Sequence, residues 1–156
     1  MRLVAVITLV AALVSGCDTS RVFEENRDFN KRAWTVNDTA VFEFSIPEPT
    51  ANYNLLCNIR NTLDYPYSRI FVNYTLEDST HRVLTTKLVS NNLFDVKTGE
   101  PQGNSGLGDI YDHRFSLESR KLSPGKYFVK LQQYMRTDTL QGVLAAGVRV
   151  EKIGSN

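Results

Sequence analysis

The chain has 156 residues with 18 Lys+Arg against 17 Asp+Glu, a formal net charge of +1, and 42% hydrophobic residues. Such a balance shows no basic stripe, so nucleic acid is excluded as a partner. The hydrophobic content and length suit one domain with its own core rather than a disordered chain.

The amino end carries the strongest local signal. Met1 and Arg2 precede an apolar run over 3–14. As a helix, twelve residues cover about 18 Å, short of a hydrocarbon core of about 30 Å. The run therefore reads as a signal peptide over 1–16 rather than a permanent span. It ends in Leu13-Val14-Ser15-Gly16-Cys17, which resembles the lipobox of bacterial lipoproteins. That resemblance implies lipidation at Cys17, whose thiol supplies the thioether nucleophile. Two or more acyl chains give stable anchoring where one does not. The expected bilayer contact is therefore through acylated Cys17, and Asp18 follows it. Removing the signal takes away Arg2 and leaves 17 basic against 17 acidic residues. Of the two cysteines, only Cys57 then remains as a thiol, so no intramolecular disulfide forms. Its place in an apolar alternation makes it a small buried hydrophobe.

Residues 17–33 are polar and of mixed charge beyond Cys17, and read as a lipidated tether, with Val22 and Phe23 apolar enough to dock. From Trp34 the period becomes two. Val41 to Ile46 forms a strand stopped by Pro47. Tyr53, Leu55, Cys57 and Ile59 share a face opposite Asn54, Asn58 and Arg60. Asp64-Tyr65-Pro66 marks a turn, after which Ile70, Val72, Tyr74 and Leu76 alternate with polar residues. Further strands are expected at 81–89, 113–118, 127–136 and 147–151. Leu122-Ser123-Pro124-Gly125 is a turn feeding a strand with an early tyrosine, Tyr127. The expected fold is all-β: a single antiparallel sandwich, immunoglobulin-like or jelly-roll-like, of about seven strands over residues 34–153.

The one long irregular segment, 90–112, contains Gly99, Gly103, Gly106 and Gly108. It lacks a Gly-Lys-Ser/Thr ending, and its Asp95, Glu100, Asp109 and Asp112 match no EF-hand spacing. A mobile or partner-ordered loop is the better reading. His81 and His113 have no metal-ligand spacing, and Ser105 lies outside any nucleophile elbow. No catalytic residue, metal or cofactor is expected, and the chain reads as a non-enzyme. Three short patterns at Asp38-Thr39, Asp78-Ser79-Thr80 and Asp138-Thr139 resemble envelope O-glycosylation acceptors, although turn capping accounts for them equally.

Over nearly its whole length the chain resembles the gliding motility lipoprotein family GldH. The likeness rests on the lipobox, Val22-Phe23-Glu24-Glu25, Tyr53-Asn54-Leu55, Ile59-Arg60-Asn61 and Asp64-Tyr65-Pro66-Tyr67-Ser68. It continues in Gly106-Leu107-Gly108-Asp109-Ile110-Tyr111-Asp112, Gln133-Tyr134-Met135-Arg136, Leu140-Gln141-Gly142-Val143 and Gly147-Val148-Arg149-Val150-Glu151. The resemblance implies an accessory, non-enzymatic lipoprotein of the cell envelope, most consistent with the outer membrane, in the machinery of gliding and type IX secretion. Its partners would be other proteins of that complex. Arg60, Tyr65, Tyr67, Tyr134 and Arg136 are the candidate contact residues, since Tyr and Arg are enriched at binding hot spots. A carbohydrate- or ligand-binding sandwich is the alternative, with Tyr65, Tyr67 and Tyr74 as stacking faces.

Overall fold

Alternation in Ala40–Ile46 sends Ala40, Phe42, Phe44 and Ile46 inward while Val41, Glu43 and Ser45 meet solvent. That period of two recurs along most of the chain and builds two facing sheets. The computed structural model describes residues 18–47 and 49–154; the expected signal peptide over 1–16 and the expected lipidation site Cys17 lie outside the described residues.

In chain order the strands are β1 (Arg21–Asp28), β2 (Ala33–Thr35), β3 (Ala40–Ile46), β4 (Ala51–Thr62), β5 (Arg69–Asp78) and β6 (Val83–Asn92). They continue with β7 (Asn104–Ser105), β8 (Ile110–Leu122), β9 (Gly125–Gln133), β10 (Thr139–Gln141) and β11 (Val143–Lys152). One sheet runs β1-β11-β4-β8-β7 and the other β3-β9-β5-β6, with β10 and β2 forming a separate two-stranded ribbon. Every pairing between strands is antiparallel. Tyr53, Leu55, Cys57 and Ile59 of β4 face Ile70, Val72, Tyr74 and Leu76 of β5 and Val129 and Leu131 of β9, all buried.

The antiparallel sandwich agrees with the sequence reading, but the described residues hold eleven strands where about seven were expected. Strands β2, β7 and β10 are only two or three residues long, too short for any period to register. The segment expected as a tether differs most. Its residues 21–28 are β1, an edge strand laid along β11. A shift of register between Arg21 and Phe23 breaks the alternation, which is why the sequence hid it. Phe23 packs 5.7 Å from Phe44, and charged Arg21, Glu24, Glu25, Arg27 and Asp28 occupy this sheet edge. Close approach of β1 needs Gly147 on β11, where a Cβ would stand 2.5 Å from the Glu25 carbonyl oxygen.

The connections divide the molecule into two ends. The links 47–50, 79–82 and 123–124 share one end with Asp18 and with the close of β11. There the Tyr127 hydroxyl donates to the Ser123 carbonyl at 2.9 Å, tying the expected turn to its strand. The opposite end holds 29–39, 63–68, 93–109 and 134–138. At that end Phe29 stacks on fully buried Trp34 at 4.8 Å.

Candidate functional site

Alternation on β5 and β6 contains two breaks: Phe71 precedes inward Val72, and Leu88 precedes half-buried Val89. One member of each apolar pair must face outward. The outward residues meet the segment after β9 and form an apolar groove of about 460 Å³ lined by Tyr67, Phe71, Leu88, Tyr134, Met135 and Arg136. Tyr134 is 62% exposed, Leu88 53% and Tyr67 42%. The groove lies on the outer face of the four-stranded sheet at the end opposite Asp18.

Backbone bonding sets its shape. The Tyr134 amide donates to the Phe71 carbonyl at 2.9 Å, and the Phe71 amide donates to Met135 Sδ at 3.3 Å. Gln133, fully buried, supports the bend from below. Its Oε1 accepts from the Met135 amide at 2.8 Å and its Nε2 donates to the Thr137 carbonyl at 2.8 Å. Pairing both ends of a buried amide with backbone holds the bend in one conformation.

Three expected contact residues, Tyr67, Tyr134 and Arg136, therefore come together. Tyr65 does not join them on the surface. It is 4% exposed, its hydroxyl donates to the Arg69 carbonyl at 2.9 Å, and its ring stacks on Phe94. Burial, then the neighbouring Tyr67, pushes its phenol pKa up. Its ring meets Tyr67 edge-on at 5.9 Å, so Tyr65 supports the groove from within. Arg60 lies elsewhere, on the outer face of the five-stranded sheet, paired with Asp112 at 2.8 Å. The sequence reading missed Phe71, Leu88 and Gln133; the paired apolar residues were the available signal for the first two.

That second face carries a polar cleft of about 320 Å³ lined by Glu24, Asn58, Arg60, Asp112, His113 and Arg114, among others. Its charges are largely matched within the chain. Glu24 accepts from Arg114 Nη2 at 2.6 Å and from Asn58 Nδ2 at 2.9 Å. Behind it, the Arg149 side chain is only 6% exposed and fans onto three carboxylates. Its Nε meets Glu151 at 2.5 Å, its Nη1 meets Glu24 at 2.7 Å, and its Nη2 meets Asp18. Partial burial pushes the Glu24 carboxyl up, but hydrogen bonds from Arg149 and Asn58 outweigh it and hold the group below its ordinary value. The Ser20 hydroxyl, then Arg149, hold Asp18 at about 2. His113 is buried against Gly103, and that burial lowers its pKa and favours the neutral ring.

The long loop between β6 and β8 is internally bonded. The Asp95 carboxylate accepts from the amides of Lys97 and Thr98 at 2.8 Å each, and buried Leu93 and Phe94 root it in the core. Asp78 similarly caps the β5–β6 turn through the Thr80 hydroxyl at 2.7 Å. Among the described residues no group of three His, Cys, Asp or Glu side chains is placed to hold a metal, and no helix is long and apolar enough to cross a membrane. Of the tyrosines considered for sugar stacking, Tyr65 and Tyr74 are buried; Tyr74 donates to Glu118 at 3.0 Å.

The GldH lipoprotein family model matches residues 21–150, from the first strand into the last. The chain belongs to this family. It is 26% identical to the gliding motility lipoprotein GldH of Flavobacterium johnsoniae, an alignment covering 94% of both chains. It is 30% identical to a GldH homolog of Christiangramia forsetii over 90% of this chain and 89% of that one. Likeness to solved structures is remote. The pre-peptidase C-terminal domain of Bacillus anthracis collagenase aligns with 82% of this chain and 87% of its own at 13% identity and a TM-score of 0.35. An infectious bursal disease virus structure aligns with 98% of this chain and 37% of its own at 16% identity and a TM-score of 0.41. The GldH family assignment thus rests on sequence, and the groove and the Arg149 network are features of this chain.

Proposed function

We propose that this GldH-family protein is a non-enzymatic scaffold of the gliding and type IX secretion machinery, acylated at Cys17 and anchored in the outer membrane. Its groove docks an extended segment of another envelope protein. The observation that carries the reading is the convergence of Tyr67, Tyr134 and Arg136 with Phe71 and Leu88 on one open surface. Aromatic and Arg side chains that lose water together are the usual energetic centre of an interface. Arg136 has no ion pair among the described residues, so a partner carboxylate flanked by apolar side chains is the complementary chemistry. Beside the groove, β6 pairs only with β5, which leaves its outer edge open to an added strand. Arg60 is a peripheral contact at most, since Asp112 already satisfies it.

The test restores a gene-deletion strain with the wild type, a Cys17→Ser copy and a Tyr134→Ala/Arg136→Glu copy. The culture-medium proteome is then compared, and partners are recovered from the envelope after crosslinking. The reading expects type IX cargo to be lost without the gene and restored only by the wild type. It expects the groove variant to remain folded and membrane-bound but to lose its partner. Normal cargo release from the deletion strain refutes the secretion role. Unchanged partner recovery with the double variant refutes the groove.

A further inference from the structure

The described chain is held to the sandwich from Asp18 onward. The Asp18 carboxylate accepts from the buried Arg149 guanidinium and, through Oδ1, from the Ser20 hydroxyl at 2.7 Å. The Arg21 amide donates to the Asp18 carbonyl at 3.3 Å, and the Lys152 amide donates to the Ser20 carbonyl at 2.8 Å. Residues 18–20 thus form a turn clamped to β11. Arg149 is itself held by Glu24 and Glu151, so the clamp is part of the network joining β1, β11, β4 and β8.

Cys17 is the next residue. Successive Cα atoms stand about 3.8 Å apart, so a lipid on Cys17 would join the protein directly beside the clamp. A flexible linker of a dozen residues would instead wander over about 20 Å. We infer that the Asp18 end of the sandwich is a membrane-facing surface, held against phospholipid headgroups by the Asp18–Arg149 pair. The groove end is thereby directed away from the bilayer. This inference rests on the acylation of Cys17 proposed above. It goes beyond that reading by assigning the domain a fixed posture and Asp18 a positioning role.

The fold sets the separation. Strand β4 spans the sandwich from end to end with 12 residues, a rise of roughly 36 Å over eleven steps. Leu63, Tyr67, Val96, Leu107 and Tyr134, all exposed, gather at the far end. A domain on a long tether could turn these apolar groups toward lipid; a clamped one presents them to proteins.

The experiment uses full-length lipidated protein reconstituted into phosphatidylethanolamine/phosphatidylglycerol vesicles bearing a headgroup-linked energy acceptor. A donor dye is attached at Ser79→Cys, in the β5–β6 turn at the same end of the sandwich as the clamp, or at Leu107→Cys in the far loop. Cys57 is fully buried and stays unlabelled. Transfer from position 79 should exceed that from position 107 several-fold. Adding Asp18→Ala, or twelve Gly/Ser residues between Cys17 and Asp18, should shrink the difference while circular dichroism stays that of a β-sandwich. Equal transfer from both positions in the otherwise wild-type protein overturns the posture. An undiminished difference with Asp18→Ala overturns the clamp's role. If intact mass shows no lipid on Cys17 and the protein fails to float with vesicles, the acylation reading fails instead, and this inference with it.

Discussion

Replacing Arg149 by methionine removes the centre of the charge network while retaining most of its hydrocarbon volume. Three charge-assisted contacts disappear, to Glu151, Glu24 and Asp18. Removing one partner of a buried ion pair costs about 3–5 kcal/mol when the other is left uncompensated. Here the stranded carboxylates are not alone. Glu24 keeps Arg114 and Asn58, while Asp18, at 43% side-chain exposure, rehydrates. The expected loss is therefore smaller, about 2–3 kcal/mol. For a domain of this size that lowers Tm by about 6–12 °C, measured by circular dichroism at pH 7. Acid gives a second signature. Asp18 and Glu24 have folded-state pKa values below their ordinary ones, so the stability they contribute is present above the ordinary carboxylate range. It is lost as pH falls through the folded values. The gap in Tm between wild type and Arg149→Met should therefore narrow steadily from pH 5 toward pH 2. A change in Tm of less than about 2 °C at pH 7, or a gap that widens in acid, would refute the network as a source of stability.

Gly142 joins β10 to β11 with φ near +79°, and a Cβ there would stand 2.6 Å from the Tyr65 amide nitrogen. Gly142→Ala should cost at least about 2 kcal/mol from strain and displaced backbone, read as a lower denaturant midpoint; an unchanged midpoint contradicts that crowding. Cys57 is fully buried, and burial pushes its thiol pKa up. It should resist a thiol-specific reagent in the native protein and react at once in denaturant; rapid native labelling would show that the core opens around β4.

Much of the sandwich was legible in the residues. The inward faces of β3, β4, β5 and β9 follow their alternation, because burying one side of a pleated strand imposes a period of two. The Ser123-Pro124-Gly125 turn and its tyrosine also stand where local chemistry placed them. Within the groove, Tyr134 and Arg136 were legible as residue types, and their convergence with Phe71 and Leu88 was not. That meeting depends on β5 lying between β6 and β9, a pairing order no local pattern encodes.

Strand β1 marks the same boundary. A charged, bulged edge segment has no independent reason to be extended; it becomes a strand because β11 offers unpaired backbone groups and Gly147 lets it come close. Tyr65 moved from expected surface to core because Phe94, remote in sequence, stacks against it. Arg149, outward by alternation, is buried because Asp18 and Glu24 close over it. Local spacing thus determined which side of each regular strand is apolar, since that depends only on neighbours along the chain. Which strands stand side by side, which polar groups find partners, and which end of the molecule carries Asp18 were decided by contacts between distant segments. Those contacts exist only once the chain has folded.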